Sequence, residues 1–243
     1  MAKRVLKIIA FFVIGAVGGI FADQILWPYF IERPLLYKYG LEQPPIYVTE
    51  IKQITVEENT ALKEAIEKTA KTVVGIRTKK KNGKTVEGSG LIISSDGLVL
   101  TFADLVPADG NTLLFWEGKS PSFQVIKARQ KENLALLKIN ESNLPTMGFA
   151  DFEKLRLGER VYLVAIVFRG EEGKRNGPYR LAREGIIKLF SPDLLETDIV
   201  EKSSLNASPL FNISGEVVGL NRVDVEGKVT TIPIKEIRPF LGF

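Results

Sequence analysis

The sequence has no histidine and no cysteine in its 243 residues. Without cysteine there is no disulfide framework, no thiolate nucleophile and no zinc-thiolate site. Without histidine, acid–base chemistry at neutral pH loses its usual carrier, and any metal site would be all-oxygen. No clustered carboxylate motif of the EF-hand kind occurs either, so neither a metal nor a cofactor is expected. A basic stripe is also missing. The net charge is +4, but Lys3, Arg4 and Lys7 supply three of those charges, leaving 30 cations against 29 anions from residue 8 onward. A nucleic-acid reader needs a concentrated positive face, so nucleic acid is not an expected partner. The dense cluster that remains, Lys79, Lys80, Lys81 and Lys84, flanks the hairpin dipeptide Asn82-Gly83 and reads as a solvated turn.

Long apolar character is concentrated at the start. Ile8 to Ala22 carry no charge, and the apolar stretch extended from Val5 to Trp27 reaches the roughly 20 residues a membrane helix needs. Lys7 can snorkel, and Trp27 and Tyr29 suit an interface. Cations precede the run and Asp23 and Glu32 follow it, which predicts a single-pass anchor with a cytoplasmic N-terminus and an extracytoplasmic main domain. The alternative is a signal peptide cleaved after Ala22 and a secreted product, although Ile20 is a poor residue two positions earlier. Residues 28–54 hold four of the chain's 12 prolines and read as a stiff linker between residues 1–27 and the folded part, 55–243.

Leu62, Ile66 and Ala70 are spaced four apart, which predicts a short amphipathic helix over about Glu57–Lys71. From Thr72 the pattern changes to twelve short β-type runs, many of them separated by Asn-Gly, Asp-Gly or Ser-Gly turns. Such a series without intervening helices predicts an all-β barrel or sandwich. Residues 140–158 form a break, so two similar halves are expected, about 72–150 and 155–233, with a terminal helix over Ile234–Leu241.

Five segments occur in an order that resembles HtrA/Deg-type trypsin-like serine proteases. They are VVGI at 73–76, GSGLIISSDGLVLT at 88–101, LALLKI at 134–139, LRLGERV at 155–161 and SGEVVGLN at 214–221. The resemblance spans about residues 56–240. It implies a trypsin-like double β-barrel, two six-stranded antiparallel barrels with the site in the cleft between them. The family's histidine lies in a stretch matched by Thr101–Val106, where Asp104 takes its place. Asn133 stands at the aspartate position, directly before LALLKI, and Asn206 at the nucleophile position within Thr197–Leu210. The oxyanion-hole positions implied are Ser204 and Asn206, and the glycines around the nucleophile are Ser204, Ala207 and Ser208 here. β-Carbons at all three work against a donor-presenting loop. Val167-Phe168-Arg169 replace the family's Gly-Asn-Pro, so a different substrate-pocket wall is expected.

A Ser-His-Asp reaction needs a hydroxyl, a base poised near neutral pH and a carboxylate to orient that base. Asn206 offers no nucleophile, Asp104 is intrinsically acidic with a pKa near 4, and Asn133 is neutral. Losing such a unit costs roughly a millionfold in turnover. On this reading the chain is not an enzyme but a pseudoprotease that binds or regulates extended or unfolded polypeptides, or a regulatory protein partner, by strand addition. One alternative is a structural role in a homo-oligomer, a trimer by resemblance. Another is an active peptidase using a Lys202–Ser204 dyad, with Ser203 and Ser208 nearby. Phe102, Phe115, Trp116, Phe123 and Phe168 read mainly as core, with exposed anchors as the alternative. The PDZ module common in the family is not expected in this chain.

Overall fold

The computed structural model describes residues 2–27, 60–169, 177–191, 194–201 and 203–242. The chain divides into Met1–Val56 and Glu57–Phe243, taken in turn. In the first, α1 (Ala2–Phe21) runs on into a wider helical turn, Ala22–Leu26. Lys3–Ile25, 23 residues, is long and apolar enough to cross a membrane by length and composition. At 1.5 Å per residue it is about 34 Å long, against roughly 30 Å of bilayer hydrocarbon. The 28–54 linker lies outside the described residues.

The second part opens with α2 (60–69), whose Leu62 and Ile66 pack on the core. Thr69 Oγ1 donates back to the Ala65 carbonyl at 2.9 Å, and the narrower turn Ala70–Thr72 leads into the sheet. Twelve strands follow, one for each β-type run. The first six are β1 (Val73–Lys79), β2 (Thr85–Ile92), β3 (Leu98–Phe102), β4 (Asn111–Phe115), β5 (Phe123–Arg129) and β6 (Leu134–Ile139). Then come β7 (Arg160–Arg169), β8 (Gly177–Phe190), β9 (Leu195–Val200), β10 (Pro209–Asn212), β11 (Val217–Val223) and β12 (Lys228–Pro233). The chain ends in α3 (Ile234–Leu241), which buries Ile234, Ile237 and Phe240.

All strand pairs are antiparallel, in two sheets: β4-β1-β2-β3-β6-β5, and a closed barrel β10-β11-β12-β9-β8-β7. The fold is thus the all-β, trypsin-like kind, with one correction. The N-terminal sheet is not closed, because β4 and β5 are its edges. β5 exposes Val125 and Ile126 and bulges between Val125 and Lys127, so little buried apolar area draws it onto β4.

β7 holds the two halves together. Val161, Leu163, Ala165 and Val167 point into the closed barrel, whereas Tyr162, Val164, Ile166 and Phe168 pack with the N-terminal sheet. Side chains alternate along a strand, so burial on both faces requires the unbroken apolar run VYLVAIVF. Gly75 on β1 permits the close approach, since a β-carbon there would lie 2.6 Å from Ile166 Cγ2.

Candidate functional site

Asp104 sits in a short turn, Ala103–Leu105, at the end of β3, and its side chain is exposed. Asn133 reaches it from the turn before β6. The Asp104 N–H donates to Asn133 Oδ1 at 3.0 Å, and the Ala103 N–H donates to the Asn133 carbonyl at 3.1 Å. Asn133 has φ +54°, a left-handed conformation that asparagine tolerates better than most residues. The structure therefore pairs these two positions, but through the Asp104 backbone rather than its carboxylate.

Asn206 follows the turn Ser203–Leu205. Its carbonyl accepts from the Ser89 N–H on β2 at 2.9 Å. Gly88 makes that approach feasible, because a β-carbon at 88 would lie 2.6 Å from the same carbonyl oxygen. Ser89 also ties the halves together. Its hydroxyl accepts from the Ile166 N–H at 3.1 Å, and its carbonyl accepts from Thr101 Oγ1 at 2.7 Å. After Asn206 the loop is anchored on β11. The Ala207 N–H donates to the Asn221 carbonyl and the Asn221 N–H to the Ser208 carbonyl, both at 2.8 Å. The buried Asn221 amide donates to Ser208 Oγ at 3.2 Å and accepts from Thr231 Oγ1 at 2.7 Å. These bonds anchor the loop on β11. Ala207 is buried and holds φ +58° without a glycine. Its surroundings over-determine a conformation that costs about 1–3 kcal/mol.

The Asn206 side chain turns to β11, where Oδ1 accepts from the Val223 N–H at 2.8 Å. The β10–β11 ladder ends at Pro209 opposite Leu220, and Asn221 is served by the loop backbone. Backbone groups alternate in direction along a strand. Val223 therefore presents its amide to the same side as Asn221, where no strand continues.

Asp104, Ser204 and Asn206 line one cavity of about 350 Å³, together with Lys80, Lys84 and Glu87. Asn133 lies behind Asp104 and does not line it. Lys202 lies outside the described residues, so the Lys202–Ser204 pairing has no geometry here. Among the described residues, no group of three or more Asp and Glu side chains is arranged to hold a metal. Phe168, one of the residues at the Gly-Asn-Pro position, is buried. It is an inward residue of the β7–β8 hairpin, 5.1 Å centroid to centroid from Phe115, with the Arg77 guanidinium 4.4 Å from its ring centre. Phe102 is also buried, and Phe115, Trp116 and Phe123 pack partly buried on the same core.

Sequence reasoning missed Ser89, Asn221 and Val223. The signal for Ser89 was the Gly-Ser-Gly at 88–90 inside an apolar run, a mark of close backbone approach. For Asn221 it was one carboxamide ending the run VVGL.

Residues 88–220, more than half of the chain, match the trypsin-like peptidase domain, and the chain belongs to that family. Within it the relatives are of the HtrA type. A probable periplasmic DegP-like serine endoprotease of Halomonas elongata is 30% identical over 135 residues, covering 55% of this chain and 28% of the relative. Serine protease HTRA1 of Xenopus laevis is 31% identical over 170 residues, covering 67% of this chain and 37% of the relative. Among solved structures, the HtrA-type protease AlgW with a tripeptide shares the fold. Its TM-score is 0.60 at 21% identity, over 72% of this chain and 60% of that one. The chain thus spans well under half of the length of these two sequence relatives.

The comparisons correct the expectation that the chain is not an enzyme and the pseudoprotease label with it. The relatives are named serine endoprotease and serine protease, and the matching domain is a peptidase domain, so membership points to protease activity.

Proposed function

We propose that this HtrA-like serine protease homologue is held in a membrane by its N-terminal helix and works outside the cytoplasm on extended polypeptides. The observation that carries the reading is the side of β11 at Val223, where the amide meets the Asn206 side chain and no strand, beside the cavity of Asp104, Ser204 and Asn206. A strand edge with an unladdered amide next to a cleft is a template for strand addition, in which backbone hydrogen bonds supply affinity. The periplasmic DegP-like relative supports the compartment.

A photo-crosslinker placed at Val225, just beyond this edge, should capture a labelled unfolded polypeptide on the full-length chain, and one at Val125 on β5 should not. Equal capture at both positions, or at neither, refutes the reading. The same incubation reads hydrolysis through new peptide termini. The imidazole-dependent reaction has no base in a chain without histidine. The activity carried by the relatives' names would therefore draw here on the Ser204 hydroxyl and a base other than imidazole, and Ser204→Ala should abolish it.

The membrane part has its own test. Because the chain has no cysteine, a single introduced one is a clean reporter. A cysteine replacing Lys235 should react with an impermeant maleimide on intact cells stripped of any outer barrier, and one replacing Ala2 should not. A second reading, assembly of copies of this chain, is favoured by the exposed edge strand β5 with Val125 and Ile126. Ile126→Lys should then lower the sedimentation coefficient.

A further inference from the structure

The β1–β2 hairpin brings cations to the cavity at Asp104 and Asn206. Its turn is fixed by the Gly83 N–H donating to the Lys80 carbonyl and the Lys80 N–H donating to the Lys84 carbonyl, both at 2.9 Å. Lys84 N–H closes on Asn82 Oδ1 at 3.0 Å, and Gly83 takes φ +81° as this turn requires. The result sets Lys80, half-buried, and Lys84, exposed, together at the cavity wall. Two carboxylates share that wall. Glu87 is already held by the Arg77 guanidinium at 2.7 Å, which leaves Asp104 as the carboxylate without a counter-cation. Among the described residues neither Lys80 nor Lys84 has an ion pair. Lys79 and Lys81 add further positive charge on the same hairpin. The cluster that reads as a solvated turn in sequence is thus partly turned into the cleft.

We infer that the cleft selects polypeptides with Asp or Glu side chains in the stretch that passes Lys80 and Lys84. The inference rests on the polypeptide-binding reading and adds the chemistry of the preferred occupant. Complementary charge at a binding surface governs which partner is accepted more than how tightly any partner holds. Two lysines in a short cleft suit one or two carboxylates. They do not suit a phosphate backbone, which is bound by a row of cations and by counterion release.

The test uses the full-length chain in detergent and fluorescent twelve-residue extended peptides, all C-terminally amidated so that only side chains supply carboxylates. The series carries two Glu, two Gln or two Lys at matching positions, and anisotropy gives Kd. The Glu peptide should bind about 3- to 10-fold tighter than the Gln peptide, and the Lys peptide should bind weakest. That preference should shrink as salt rises, since the Debye length falls from about 10 Å at 0.1 M to about 3 Å at 1 M. Lys80→Gln with Lys84→Gln should bring the Glu and Gln peptides to equal affinity. Binding of the Gln peptide with no Glu preference, or a preference that survives the double variant, overturns this inference and spares the polypeptide reading. Failure of every peptide to bind overturns both. An oligothymidylate bound as tightly as the Glu peptide overturns the assignment of partner.

Discussion

Replacing Asn206 by alanine removes one acceptor and should move two properties in opposite directions. The Val223 N–H loses the Oδ1 that accepts from it at 2.8 Å, whereas the bond from the Ser89 N–H to the residue-206 carbonyl is a backbone contact and remains. The site is half-buried, so water can partly replace the lost partner, and the cost should be about 1 kcal/mol. For a domain of this size that corresponds to a fall in Tm of about 2–4 °C. The same substitution frees the amide that an incoming peptide carbonyl would otherwise have to win from Asn206. Removing that competition should tighten binding of an extended peptide by about fivefold. Hydrogen exchange followed by NMR separates the two contacts. Exchange at the Val223 amide should accelerate, while that at Ser89 stays protected. An unchanged Val223 exchange rate, or weaker peptide binding in a folded Asn206→Ala variant, would refute the view that this side chain occupies the strand edge.

Gly88→Ala would place a β-carbon 2.5 Å from Leu105 Cδ1 and 2.6 Å from the Asn206 carbonyl oxygen. The leucine can rotate but the carbonyl cannot, so chemical denaturation should show a loss of about 1–3 kcal/mol. Asn221→Ala leaves the buried Thr231 and Ser208 hydroxyls without their carboxamide partner and should cost about 2–4 kcal/mol, read the same way. Asn133→Ala loses the acceptor for Asp104 N–H and a residue suited to φ +54°. It should destabilise by about 1–2 kcal/mol, with Asn133→Asp closer to the parent. Burial raises the Tyr162 pKa above its ordinary value, offset in part by the hydrogen bond with Thr69. The unfolded tyrosine ionises first, near pH 10, so the stability linked to Tyr162 is complete below about pH 10 and is lost as pH rises toward the folded pKa. Ultraviolet titration should show Tyr162 ionising only with unfolding, a component missing in Tyr162→Phe.

Much of the fold was legible because each β-type run was short, strongly apolar and separated from the next by turn residues. β7 is the clearest case, since VYLVAIVF has no polar position and so had to be buried on both faces. Closure of the N-terminal sheet was not legible. It depends on whether β5 meets β4 in space, and the run FQVIKA looks like any other strand until Val125 and Ile126 prove exposed. At the site, the three positions Asp104, Asn133 and Asn206 followed from motif order, but their contacts did not. That Asn206 would bond to Val223, 17 residues away, is set by where the β10–β11 ladder stops. The left-handed Ala207 was likewise hidden, because alanine carries no local signal for a conformation that its neighbours impose.

The two-faced burial of β7 bears on how the molecule comes apart. Were each half a self-contained core, one could melt while the other persisted, and a partly open form would be populated under mild stress. With one strand serving as a wall of both cores, pulling it from either exposes apolar surface in the other. Unfolding of residues 57–243 should therefore be a single cooperative event, with amides from both halves sharing the slowest exchange rates. Damage to β7 from either side then acts on both cores of residues 57–243 at once.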